Sequence, residues 1–200
     1  RSGHMNFERS ELYPNNVCDL QSLYNVKGMS IFSSTTRESF VKYMRNYGFH
    51  NNGINGLRNA GLTRVTATVL GVRNLVETDK GQSVPALFEQ EYKDGIITSW
   101  ANPDALSVGF MTDTAGIDYA PDYDKNLDVF DKTNEWLNSM GAPDVYKPVI
   151  LNTVTSSSLS TTDKHDDVLV YSSAGSANKD GYSFSITVDE ADIGSDVYVY

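Results

Sequence analysis

The sequence predicts an α+β fold, with a mixed helix and strand N-terminal region followed by a C-terminal antiparallel immunoglobulin-like β-sandwich. Three observations lead to this prediction. Apolar residues recur at helical spacing within residues 33–48 and again near residues 123–140. From about residue 147 helical periodicity is absent, and short strand-like runs alternate with polar turns. The chain has 200 residues, 40% of them hydrophobic, which is enough to form a real core.

The composition divides the chain into three parts. Residues 1–5, RSGHM, have the sequence of a cloning remnant, and Met5 is taken as the native start. Residues 6–145 form the predicted α+β region, which ends in the helix near 123–140. Residues 146–200 form the predicted sandwich, either truncated or completed by strands from elsewhere.

The first predicted helix lies within residues 33–48. Thr35 and Glu38 match a capping box, because each side chain can satisfy a free backbone N–H of the first turn. Gly48 is the expected left-handed stop. A second short helix is predicted over residues 54–62, after the turn NNG.

The next segment, residues 62–72, is predicted to be a half-buried strand. Its valines alternate with threonines, and β-branched side chains favour a pleated surface. Residues 83–95 are predicted to be a helix that Gly95 terminates. Residues 96–100 and 105–111 are expected to be two strands joined by the turn ANPD.

Four C-terminal runs have the character of strands, and polar segments separate them. The strands are predicted at residues 147–155, 166–174, 182–188 and 196–200, with turns at 156–166, 175–181 and 189–195.

The last segment, DEADIGSDVYVY, resembles the loop-then-strand passage of immunoglobulin-like domains. The resemblance covers about the last fifty residues and implies an immunoglobulin-like sandwich, without the Cys…Trp…Cys framework of antibody domains. Modules of this kind are common on phage virion proteins, which also lack signal peptides and disulfides.

The charge and the apolar runs exclude several classes of function. The net charge is −10 and no stripe of Lys or Arg is present, which argues against a nucleic-acid partner. No apolar run is long enough to span a bilayer, so no membrane insertion is expected. No signal peptide is evident, so synthesis in the cytoplasm is predicted, with a virion assembled there as an alternative location. Cys18 is the only cysteine, which excludes an intrachain disulfide.

The acidic stretch DYDKNLD raises the question of a calcium site. Its oxygen-bearing side chains alternate as they do in a calcium loop, and they belong to Asp122, Asp124, Asn126 and Asp128. Leu127 occupies the position where the sharp turn needs Gly, and Thr133 the position of the bidentate Glu. The favoured interpretation is the acidic start of a helix, which needs no cofactor, with calcium as the alternative.

Cys18 and His165 are the candidate catalytic pair. The string around Cys18, CDLQSLY, resembles the cysteine-bearing helix of cell-wall peptidases, which implies a thiol nucleophile with His165 as its base. The flanking residues Val17 and Asp19 depart from the usual Asp-Cys-Ser context. A small, half-buried thiol is the other interpretation.

Aromatic residues provide the candidate interaction surface. Rigid amphipathic rings bury area at low entropic cost. The residues selected are Trp100, Tyr119, Tyr123, Tyr198 and Tyr200.

These observations favour a non-catalytic structural or adhesion component of a larger assembly, with a phage virion protein as the specific hypothesis. The expected partners are other protein subunits in a homo- or hetero-oligomer, with carbohydrate as a second class. The alternatives are a calcium-assisted carbohydrate-binding module and a cysteine hydrolase that uses Cys18.

Overall fold

The structure is a computed structural model that describes residues 8–13, 15, 18–60, 62–78, 84, 88–112, 119, 129–149, 151–155, 159–165, 168–173, 183–195 and 197–198. Contacts divide the chain into two compact units, Arg1–Asp144 and Val145–Val199. The predicted domains, residues 6–145 and 146–200, stay a prediction.

The elements form a mixed α+β fold. In chain order they are β1 (Arg9–Tyr13), α1 (Leu20–Leu23), β2 (Ile31–Phe32), α2 (Glu38–Arg45), β3 (Phe49–Asn51), β4 (Gly56–Asn59), α3 (Arg64–Val69), β5 (Val72–Glu77), β6 (Glu89–Asp94), β7 (Ile97–Ala101), α4 (Val129–Ser139), β8 (Leu151–Thr155), β9 (Leu159–His165), β10 (Val168–Ser173) and β11 (Ser183–Ile186). A 3₁₀ turn covers Glu190–Asp192.

Within its described residues, the first unit contains two sheets. The larger has the order β1-β5-β7-β6, in which β1 and β5 are parallel and the other pairs antiparallel. The smaller is antiparallel, in the order β2-β4-β3.

The core of the first unit lies between the sheets and helices α2 and α3. It includes Val41 and Met44 from α2, Phe49 from β3, Leu57 from β4 and Leu75 from β5. These elements are short, so their stability comes from packing apolar faces together more than from helix or strand propensity.

Helix α2 lies within the predicted range 33–48. The capping box was wrong, because Arg37 is the N-cap and no side chain caps the helix. Thr35 lies before the helix and bonds to Ser33 instead. Gly48 has a φ of 86°, the left-handed conformation predicted for it.

The predictions for residues 54–62 and 62–72 were both wrong. The first segment contains strand β4 rather than a helix, and the second contains helix α3 rather than a strand. Thr63 caps α3 by accepting a hydrogen bond from the Thr66 backbone N–H at 3.2 Å. This local cap and the tertiary packing outweigh the preference of Val and Thr for strands.

Residues 83–95 were predicted to be a helix but contain strand β6, every residue of which is exposed. Asp94 pairs with Ile97, so Gly95 and Ile96 form a two-residue hairpin turn. Gly95 has a φ of 58°, which such turns require. The prediction of a strand at 105–111 was also wrong, because these residues have no regular secondary structure.

Helix α4 lies within the range 123–140. It buries Val129, Thr133 and Leu137, which follow a four-residue spacing along one face. Gly141 follows the helix with a φ of 85°.

The part of the second unit that the structure describes contains two antiparallel pairs, β8 with β11 and β9 with β10. Residues 156–166 were predicted to be a turn, but β9 occupies most of them. The strand predicted at 196–200 is also wrong where it can be judged, since Val197 and Tyr198 lie outside any strand. An immunoglobulin-like sandwich is not confirmed.

Candidate functional site

Trp100 is half-buried on strand β7. It lies opposite Leu75 on one neighbouring strand and Gln90 on the other, and it packs against the core. Its indole N–H donates to Glu77 Oε2 at 3.0 Å. Trp100, one residue of the predicted interaction surface, therefore contributes to the packing and hydrogen bonding of the sheet.

Tyr119 is half-buried beside helix α4. Its hydroxyl donates to Glu135 Oε2 at 3.2 Å, and the Lys132 ammonium donates to the same oxygen at 2.7 Å. Burial, and then the charge of Glu135, raise the pKa of the Tyr119 hydroxyl above its usual value. Tyr119 therefore stays a neutral hydrogen-bond donor across the physiological range.

Tyr119 adjoins an aromatic cluster between α2 and α4. The Tyr47 ring lies 4.5 Å from the Trp136 ring and 5.1 Å from the Tyr43 ring, centroid to centroid. Tyr47 is fully buried, and this burial, together with the hydroxyls of Tyr43 and Tyr119, raises its pKa. The helical spacing within residues 33–48 did not indicate this cluster.

The remaining residues of the predicted interaction surface are separated in the chain. Tyr198, in the second unit, packs edge-on against Tyr146 with ring centroids 5.8 Å apart. Tyr123 and Tyr200 lie outside the described residues. The role of these aromatic residues as one interaction surface stays a prediction.

Cys18 is half-buried just before α1. Its thiol donates weakly to the Leu57 carbonyl, with Sγ 3.7 Å from the oxygen. His165 ends strand β9 in the second unit. A catalytic role for this pair stays a prediction.

The calcium prediction concerns Asp122, Asp124, Asn126 and Asp128, all of which lie outside the described residues. Among the residues that the structure does describe, no group of three or more His, Cys, Asp or Glu side chains is placed to hold a metal. Calcium binding stays a prediction.

Glu11 is the most buried charged side chain of the described residues, with 0% of its surface exposed. Its carboxylate accepts hydrogen bonds from the Met29 and Ser30 backbone N–H groups, from Ser30 Oγ at 2.7 Å and from Gln21 Nε2 at 3.0 Å. Ser30 Oγ in turn accepts from the Asn59 backbone N–H at 2.9 Å. This network joins β1, α1 and β4 through a single carboxylate.

Burial raises the pKa of Glu11, and the four hydrogen bonds oppose that rise. The local sequence RSELY gives no signal of this role, because an isolated glutamate in a strand is usually exposed. The partners of the Glu11 carboxylate lie 10 to 19 residues away along the chain, since Gln21 is the nearest and Ser30 the farthest.

Residues Ala105–Thr112, the 105–112 loop, form an exposed apolar surface. The sequence ALSVGFMT contains no charged residue, although Asp104 and Asp113 flank it. Four of its side chains are large, apolar and exposed: Leu106 39%, Val108 48%, Phe110 41% and Met111 99%.

Hydrogen bonds hold both ends of the 105–112 loop. The Leu106 backbone N–H donates to the Thr68 carbonyl at 3.0 Å, in the last turn of α3. Thr112 Oγ1 donates to the Met140 carbonyl at 3.2 Å, after α4. A Cβ on Gly109 would meet nothing within 4 Å, so the middle of the loop is open to its surroundings.

Comparison with known proteins identifies the class of this chain as bacterial membrane proteins. An exposed apolar surface such as the 105–112 loop is compatible with that class. The family described as bacterial membrane protein YfhO matches residues 4–200, and the chain belongs to this family. No curated protein and no solved structure matches the chain. Of the helices in the described segments, none is both long and apolar enough to cross a membrane.

Family membership corrects four expectations. The resemblance to phage immunoglobulin-like modules was wrong as an identification, because the family is a bacterial one. The predicted role in a phage virion and the viral classification were wrong for the same reason. The predicted location, in the cytoplasm or in a virion, conflicts with a family of membrane proteins.

Proposed function

We propose that the chain has a membrane-associated, non-catalytic function in a bacterium. The observation that carries this proposal is the match of residues 4–200 to a family of bacterial membrane proteins. The exposed, charge-free 105–112 loop supports it, because a surface of this kind is stabilised when a partner or a lipid phase covers it. The non-catalytic part rests on the lack of a catalytic motif in the sequence.

Binding partners are part of the proposal. Trp100, Tyr119 and Tyr198 are the described residues proposed to contact other protein subunits, with carbohydrate as a second class of partner. The Tyr119–Glu135–Lys132 arrangement supports this, because it presents a hydroxyl, a carboxylate and an ammonium close to partly exposed aromatic rings. No nucleic acid or cofactor is proposed.

For the second unit, the finer fold proposed is an antiparallel β-sandwich of the immunoglobulin-like kind. The antiparallel pairing of β8 with β11 and of β9 with β10 supports it. A sandwich of this kind would bury one face of each pair against the other.

Fractionation of the source bacterium tests the proposed function. An antibody raised against this chain would locate the native gene product after lysis and ultracentrifugation. We expect the product in the membrane pellet, released by detergent. Recovery of the whole product in the supernatant, with a known membrane protein retained in the pellet, would contradict the proposal.

A further inference from the structure

The 105–112 loop has four exposed, large apolar side chains within eight uncharged residues, whereas the uncharged runs at residues 20–26, 28–36 and 95–103 have two, one and two. Tyr92 and Ile97 are exposed on the β6–β7 hairpin, but Glu91, Lys93 and Asp94 lie among them. A charged side chain near an apolar one makes contact with lipid unfavourable. Eight successive uncharged residues, four of them large and apolar, avoid that cost.

The hydrogen bonds at the two ends of the 105–112 loop also favour its insertion into a membrane interface. One end bonds to the Thr68 carbonyl in the last turn of α3 and the other to the Met140 carbonyl just after α4, so the loop does not have to be ordered from a random chain when it binds. A surface held in advance loses less conformational entropy on binding. Met111 and Val108, at its exposed part, lose contact with water when they enter an apolar phase.

The overall charge indicates which interaction with a membrane is favourable. A net charge of −10 repels the anionic surface of a bacterial membrane, so electrostatic attraction does not supply the binding energy. Burial of apolar side chains supplies it instead, as for interfacial segments that insert an apolar face.

We propose that the 105–112 loop binds the lipid bilayer directly, with Val108, Phe110 and Met111 inserted at the boundary between headgroups and acyl chains. This inference rests on the proposed membrane-associated function and adds to it the surface and the partner. Membrane association of the native product does not depend on it, because another part of that product or a partner protein can provide the association.

Flotation with vesicles tests the inference on the full chain. The vesicles contain phosphatidylethanolamine and phosphatidylglycerol, or phosphatidylcholine alone. The variant Phe110→Asp/Met111→Asp is expected to lower the partition coefficient by about tenfold or more, because it removes two inserted side chains and adds two charges. Leu23→Asp is the matched control: Leu23 is 74% exposed but lies outside the loop, and binding should stay within about twofold.

Salt distinguishes apolar insertion from electrostatic binding. Screening weakens the repulsion between this acidic chain and anionic lipid, so salt should strengthen binding to vesicles that contain phosphatidylglycerol. Equal binding by the wild type and the double variant would overturn the inference, and so would an equal loss in Leu23→Asp. The inference would also be overturned if the wild type did not bind the vesicles. It would be overturned as well if the double variant converted a dimer to a monomer but floated with the vesicles as the wild type does. Fractionation then decides separately whether the proposed function stands.

Discussion

Replacing Glu11 with alanine is expected to lower the free energy of unfolding by about 3 kcal/mol or more, the largest effect of any polar substitution in the first unit. The change removes the acceptor of four hydrogen bonds, while three of the donors stay buried and the Met29 N–H stays partly buried. Gln21 Nε2 and Ser30 Oγ lose their acceptor, as do the backbone N–H groups of Met29 and Ser30. Urea denaturation followed by circular dichroism measures the loss.

Glu38→Ala is the matched control, because Glu38 is an exposed glutamate whose partner is Lys42 on the same helix. Its effect should be within about 0.5 kcal/mol. A loss at Glu11 as small as that at Glu38 would show that the buried network contributes little to the fold.

The pH dependence of the Glu11 contribution follows from the direction of its pKa shift. Burial raises the folded pKa above the ordinary value of 4.5, so the folded state binds the proton more tightly than the unfolded state. The contribution is therefore greatest below the unfolded pKa and is lost as the pH rises through the folded pKa. Glu11→Gln does not titrate, so the stability of the wild type relative to this variant should fall over that interval. A relative stability that rises with pH would show that the hydrogen bonds outweigh burial.

Gly71→Ala is expected to lower the free energy of unfolding by about 2 to 4 kcal/mol. Gly71 has a φ of 67°, and an added Cβ would lie 2.9 Å from the Leu106 carbonyl oxygen. The new methyl group would therefore collide with a backbone oxygen, which cannot move aside by rotation as a flexible side chain can. Thermal and urea unfolding of the variant measure the effect.

Gly95→Ala separates the two causes of that loss. Gly95 has a φ of 58°, but a Cβ there would meet nothing within 4 Å. Alanine at residue 95 has the backbone strain without the collision, so the free energy of unfolding is expected to fall by about 1 kcal/mol. Equal losses at the two positions would show that the close approach of Gly71 to the 105–112 loop has no energetic consequence.

Helical periodicity predicted the parts of the fold in which one face of a helix is buried. Helix α2 and helix α4 both have apolar residues at this spacing, and Gly48 and Gly141 follow them in left-handed conformations. The boundaries were less accurate, because Thr35 and Glu38 matched a capping box that the chain does not use. Capping patterns are common in loops, and only the tertiary packing decides which one begins a helix.

Residues 54–72 show where propensity misleads. Val65, Ala67 and Val69 alternate with threonines, so the pattern predicts a strand, yet Thr63 caps a helix there. The strand that pairs in the sheet is β5, which begins at Val72. A two-turn helix has too few residues for its periodicity to be told from alternation, so the local cap and the sheet register decide.

The candidate site was harder to predict than the fold. Glu11 and the Tyr47–Trp136 cluster depend on contacts between segments far apart in the chain, which no local pattern shows. The 105–112 loop did have a signal, an apolar run without charge, but residues 105–111 were predicted to be a strand that follows the turn ANPD. The run is exposed because no neighbouring strand pairs with it in the described sheets.

A lipid-sensitive fluorophore at residue 111 measures most directly whether this loop contacts the membrane. The label is attached to Met111→Cys in a Cys18→Ser background, with Glu91→Cys on the exposed strand β6 as the control position. On adding vesicles, we expect a blue shift at residue 111 and quenching by nitroxide-labelled acyl chains, with neither at residue 91. Identical responses at the two positions, or no response at residue 111 when the chain is bound to vesicles, would contradict membrane contact through the 105–112 loop.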